Sequence, residues 1–168
     1  MALVYSDGVR AGRVLDAIAR DLQREGLRCA GFLQFDQLRP GRSRCDMILE
    51  NIQTGVRVQI SEDRGPQAQG CILDPHALLT AMADARERLR EGADVLLLNK
   101  FGKAEAEGSG FRPLIADAVA SEIPVVIGVP RRNLESWRVF ANDLAVEFDL
   151  DEGGDAETSS LIEALRSV

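Results

Sequence analysis

ADVLLLNKFGKAEAEGSGFR, residues 93–112, passes from an unbroken apolar run into a loop with two lysines, two glutamates and three glycines. Val95 to Leu98 do not alternate with polar residues, which predicts a strand covered on both faces and therefore central in a parallel sheet. The flanks agree. Upstream, Asp74-Pro75 opens a helix, because Asp caps free N–H groups and Pro fits the first helical position. Leu78, Met82, Ala85 and Leu89 form its apolar stripe, and Gly92 stops it. Downstream, Phe111, Leu114, Ile115, Ala118 and Val119 recur with helical period, and IPVVIGV, residues 123–129, reads as another buried strand.

Working outward, ALVYS (2–6) is a short strand leading through SDGVRAGR into a helix striped by Val14, Leu15, Ile18, Ala19 and Leu22. Gly26 ends that helix and LRCAGFLQF (27–35) follows as a strand, so the unit is βαβ and its strands are parallel. RCDMILENI and VRVQI then flank Gln53-Thr54-Gly55, a polar connection suited to an antiparallel hairpin placed at a sheet edge. SEDRGPQAQG (61–70) is a polar loop. Toward the end come a helix lined by Leu134, Trp137, Phe140 and Ala141, a strand in AVEFDL, and a closing helix over 155–167. The order predicts a three-layer α/β fold: one mainly parallel sheet, helices on both faces, and an inserted β-hairpin at one edge. A chain of 168 residues is expected to be one domain, 1–168.

Composition narrows the partners. No segment approaches the roughly 20 apolar residues of a membrane span. MALVYSDG lacks the pattern of a secretory signal and three cysteines cannot all pair with one another, so a cytoplasmic home is expected. The net charge of −7 argues against nucleic acid or an anionic membrane, because phosphate backbones need a basic face. Any anion site must be local.

In open α/β sheets ligands sit beyond the carboxyl ends of the strands. Two loops qualify. Against the phosphate-binding pattern G-x-x-x-x-G-K-[ST], SDGVRAGRV keeps Gly12 but has Asp7 for the first glycine, Arg13 for lysine and Val14 for the hydroxyl residue. Gly8 lies one place along, and Arg10 and Arg13 add charge near a helix start; the competing reading is a tight turn with solvated arginines. In the second loop Asn99 and Lys100 stand where a nucleotide hydrolase keeps an acid for magnesium, and an amide lacks the anionic oxygen that ion prefers. Asn99-Lys100 also begins the guanine-reading N-K-x-D, but Gly102 occupies its fourth position. The candidate ligand-binding set is Gly8, Arg10, Gly12, Arg13, Asn99, Lys100, Lys103 and Glu105, with no catalytic residue assigned. Glu105 and Glu107 read more simply as solvated, and Arg131-Arg132 reads equally as cleft-facing or as a surface turn. Cys45, Cys71 and His76, with Asp46 or Asp74, lack metal-ligand spacing. Cys29 and Cys45 fit burial in strands, Trp137 fits the core, and a lone histidine disfavours a catalytic triad.

The altered P-loop, RCAGFLQF, the hairpin and FGKAEAEGSGFR together resemble the small bacterial and archaeal P-loop nucleoside-triphosphatases whose strand end reads D-E-I-G-x-M-E. Gly102 and Glu105 match that pattern, while Asn99 and Lys100 replace its two acids. LNKFGKAEAEGSGFR and Cys71 in GCILDP more closely resemble an uncharacterised bacterial branch of the group, to about residue 145, whose genes often accompany molybdate-transport genes. The resemblance implies a P-loop NTPase-like fold and a nucleotide- or oxyanion-binding accessory role in molybdenum handling. Nucleotide or molybdate would be the ligand, with magnesium disfavoured. Two alternatives stand: a nucleoside-triphosphatase, at best weak, using Asp7, Glu105 or Glu107 as non-standard acids; and a non-catalytic interaction module, homodimeric through the hairpin edge.

Overall fold

A computed structural model describes residues 1–38, 45–62 and 72–152. Its main sheet has seven strands: β1 (Ala2–Tyr5), β2 (Cys29–Leu38), β3 (Cys45–Asn51), β4 (Arg57–Gln59), β7 (Val95–Leu98), β8 (Val125–Pro130) and β9 (Glu147–Asp149). Their order is β4-β3-β2-β7-β8-β1-β9. β5 (Ser61–Glu62) and β6 (Ile72–Leu73) form a separate two-stranded ribbon. The pairs from β2 through β7, β8 and β1 to β9 are parallel, and β2–β3 and β3–β4 are antiparallel. The hairpin thus lies at an edge, as its polar turn implied. Asn51 holds that turn: its side-chain oxygen accepts from the N–H groups of Gln53 and Thr54, and its amide donates to Asp84 at 2.5 Å.

Every residue of β1 and of β7 is buried, in keeping with unbroken apolar runs sandwiched by helices. Side chains alternate between two cores. Leu3, Cys29, Leu33, Val95, Leu97 and Val126 pack against Ala11, Leu15, Ile18, Ala19 and Leu22 of α1 (Gly8–Arg24). Ala30, Phe32, Leu96, Leu98, Ile127 and Val129 meet α2 (Pro75–Arg90), α4 (Arg112–Ala120) and Trp137 of α5 (Leu134–Ala141). Crossovers between parallel strands are right-handed. The step from β1 back to β2 therefore covers one face, whereas β2 to β7, β7 to β8 and β8 to β9 run the other way and cover the opposite face. A four-residue helix, α3 (Lys103–Ala106), interrupts the loop after β7. The closing helix expected over 155–167 and most of the loop 61–70 lie outside the described residues.

Candidate functional site

The chain leaves β1 toward one face and leaves the adjacent β8 toward the other. The two connections part company beyond Tyr5 and Pro130, which are register partners. In this architecture such a divergence marks the crevice, at the carboxyl edge of the sheet, where ligands usually bind. Its rim is Tyr5 to Gly8 after β1 and Pro130 to Asn133 after β8. Asn99 and Lys100, after β7, stand two strand spacings from β1, about 10 Å away.

The first loop is shorter than a phosphate cradle. Only Ser6 and Asp7 separate β1 from α1, and one Asp7 carboxylate oxygen accepts from the N–H groups of Val9 at 2.8 Å and Arg10 at 3.3 Å. The protein's own anion thus occupies the electropositive helix start. Gly12 and Arg13 fall in the second turn of α1, where N–H groups bond along the helix rather than to a ligand. Arg13 is exposed and Arg10 half-buried with a partner of its own.

The second loop is a folded knot. Glu105 is buried rather than solvated, and its two oxygens accept from the N–H of Gly102 and the N–H of Phe111, each at 2.8 Å. One carboxylate thus caps the starts of both α3 and α4. Gly110 follows from this arrangement: it sits at φ +61°, and a Cβ there would lie 2.0 Å from a Glu105 oxygen. Asn99 donates its amide to the Gln34 carbonyl at 2.7 Å, tying the end of β7 to β2. The Asn99 carbonyl passes so close to β8 that a Cβ on Gly128 would lie 2.1 Å from it, and Phe101 N–H donates to Gly128 at 2.7 Å. Lys100 is half-buried with its stem against Gly102, and exposed Lys103 makes a long 3.6 Å pair with Glu107. The phrase that looked most like ligand chemistry is largely self-contained.

On the far side of β1, Arg131 bridges Asp149 at 2.6 Å and Asp151 at 2.9 Å. Those carboxylates push the Arg131 pKa up, and Arg131 in turn pulls Asp149 down. Asp151 is lowered chiefly by the Ser6 N–H and hydroxyl, with Arg131 adding to them. This network fastens the end of β8 to those of β1 and β9. The neighbouring Arg132 is exposed, and with Arg13 and Lys100 it makes no ion pair or hydrogen bond among the described residues. Most other described arginines are neutralised, for example Arg28 by Asp94, Arg86 by Asp117 and Arg138 by Glu147. Tyr5, read from sequence only as the end of a strand, is the residue that pattern reasoning missed. Its ring is buried against Gly8 and Gly128, and burial pushes its hydroxyl up to about 12, with Arg132 lowering and Asp36 raising it. Its place as the last residue before a tight strand-to-helix turn was the available signal.

A magnesium–nucleotide pair, which P-loop enzymes use, does not fit the donor set. Asp7 caps α1, Glu105 is bound to two backbone N–H groups, Asp149 and Asp151 hold Arg131, and Val14 offers no hydroxyl. Elsewhere, Asp74 caps α2 by accepting from His76 and Ala77, and His76 is exposed beside it. Among the described residues no cluster of His, Cys, Asp and Glu is arranged to hold a metal. Cys29 is buried and its thiol is pushed up to about 11, the opposite of a reactive thiolate. Cys71 and the side chain of Cys45 lie outside the described residues. An apolar cleft of about 780 Å³ opens at the opposite edge, against Met1, Val119, Trp137, Phe140 and Val146. No helix among the described residues is long and apolar enough to cross a membrane.

Comparison with known proteins places this geometry. The family described as "Protein of unknown function (DUF2478)" matches residues 1–154. Molybdenum import ATP-binding protein ModC 2 of Bradyrhizobium diazoefficiens is 29% identical over 169 residues, covering 98% of this chain but 19% of that protein. The chain therefore spans about a fifth of that relative's length. The crystal structure of THEP1 from the hyperthermophile Aquifex aeolicus superposes with a TM-score of 0.68 at 16% identity, covering 98% of each chain. The fold is P-loop NTPase-like α/β.

Proposed function

The chain belongs to the DUF2478 family, and we propose that it is a cytoplasmic nucleotide- or oxyanion-binding accessory protein that does not hydrolyse its ligand and acts in molybdenum handling. One observation carries the reading. In a chain of net charge −7, three of the four arginines and lysines without a partner among the described residues, Arg13, Lys100 and Arg132, follow strand ends at the carboxyl edge, while the fourth, Arg90, ends α2. Side-chain donors of this kind suit a compact dianion, which needs positive charge more than it needs magnesium. Likeness to a molybdenum import ATP-binding protein supports the choice of molybdate or a nucleotide as ligand. The committed state of the edge carboxylates supports binding over hydrolysis.

The test is calorimetric titration of the purified protein with molybdate, tungstate, phosphate, ATP and GTP, alongside magnesium-dependent phosphate release. Saturable binding of at least one anion without phosphate release is expected. Absence of heat and of thermal shift with all five would sink the proposal. A second reading, an interaction module that self-associates, is favoured by the apolar cleft and by exposed Val139, Leu144 and Val146 on and beside it. Light scattering decides it: a dimer disrupted by Leu144→Glu supports association, and a monomer at all concentrations removes the homodimer.

A further inference from the structure

We infer that the Tyr5 hydroxyl and the Arg132 guanidinium form the recognition pair of this crevice, gripping one tetrahedral oxyanion, free or at the end of a nucleotide. The inference rests on the anion-binding reading above and says where the anion sits. At the start of α1 the Asp7 carboxylate already holds the N–H groups an anion would use. The β8 side differs. Arg131 is held by two aspartates, whereas its neighbour Arg132 is exposed and without a partner among the described residues.

Tyr5 supplies the second, independent observation. It is only 6% exposed, its ring rests on Gly8 and Gly128, and its hydroxyl has no hydrogen-bond partner among the described residues. The ring is buried, but the hydroxyl is not among the fully buried unpaired polar atoms of the described residues, so it keeps contact with solvent and is open to a ligand oxygen. Arg132 and Asp36 are the charged groups that bear on this phenol. Asp36 accepts from Gln34 Nε2 at 3.0 Å, which engages one of its oxygens. The phenol remains protonated at neutral pH and can donate one hydrogen bond to an anionic oxygen. The guanidinium fork can donate two more. A hydroxyl and a guanidinium set at adjacent strand ends, Tyr5 beside Pro130 and Arg132 two residues further on, suit an acceptor-only ligand and disfavour a cation.

Tyr5 is the chain's single tyrosine, so a protein labelled with 13C at tyrosine Cζ gives one signal from this site. Phosphate, molybdate and ATP are titrated into wild type, Tyr5→Phe and Arg132→Gln, with far-UV circular dichroism melts as the check on folding. The Tyr5 signal is expected to move with anion in wild type. Tyr5→Phe should weaken binding by about fivefold to tenfold, and Arg132→Gln by about thirtyfold or more. Tighter binding of ATP than of phosphate assigns the oxyanion to a nucleotide, and equal binding assigns it to a free anion. Unchanged affinities in both variants with a stationary Tyr5 signal overturn the pair while leaving anion binding intact. No binding to wild type overturns both proposals.

Discussion

Glu105→Ala should be among the most destabilising single changes in the loop after β7. The carboxylate is 5% exposed and accepts two hydrogen bonds of 2.8 Å, from Gly102 and Phe111. A hydrogen bond to a charged group contributes roughly 1.5–3 kcal/mol, and both donors would be left buried and unpaired. Losing the pair should cost about 4 kcal/mol, a large part of the roughly 5–15 kcal/mol that holds a domain together. Glu105→Gln keeps one acceptor oxygen but turns an amide NH₂ toward the other N–H, so about half that loss is expected. Urea unfolding of the three proteins measures the differences. Amide hydrogen exchange at Gly102 and Phe111 localises them, since both should exchange faster in the alanine variant. An alanine variant within about 1 kcal/mol of wild type would refute the structural role and return Glu105 to the list of site acids.

Other consequences are nearly as direct. Gly128→Ala places a methyl group 2.1 Å from the Asn99 carbonyl and 3.2 Å from Leu15 and Tyr5, so a loss of roughly 3 kcal/mol or more is expected in chemical denaturation. Asp94 is held at about 2, below the ordinary carboxylate value, by the Arg28 side chain and then by the Arg28 N–H. Its contribution is present above that ordinary value and is lost as pH falls through about 2. Asp94→Asn should therefore cost about 1 kcal/mol at pH 7, a modest figure because the pair is solvent-screened. The gap to wild type should close in unfolding curves taken at progressively lower pH, and a gap that widened would contradict the pairing. Asp7→Ser retains an N-cap acceptor while removing a negative charge from the crevice, so stability should change little and oxyanion affinity should rise about twofold to fivefold by calorimetry.

Much of the fold was legible because its signals are local. Four successive buried positions in β7, the Asp74-Pro75 start of α2 and the helical stripe of α1 each depend on neighbours within a few residues. The hairpin was legible for the same reason, with its turn closed by Asn51 on Gln53 and Thr54. The candidate site was legible mainly in location. Glycines and charged residues between Asn99 and Arg112 mark either a ligand loop or a self-bonded one, and nothing in their spacing distinguishes a glutamate facing solvent from one buried against two backbone N–H groups. Asp7 has the same ambiguity, because a P-loop departure and a helix cap share one residue type.

By itself, then, the amino-acid sequence determined the alternation of strands and helices and the central position of the all-apolar strands. Periodicity and capping chemistry specify these without knowledge of distant contacts. Tertiary structure alone decided the strand order, which puts β8 between β7 and β1. That order sets Tyr5 beside Pro130 and brings Arg132 near its hydroxyl. It also decided which charges are spent within the protein, such as Arg131 on Asp149 and Asp151, and which have no partner among the described residues, such as Arg132. The physical reason is that charge pairing and burial depend on through-space distances between segments remote in the chain, and these exist only once the crossovers have closed.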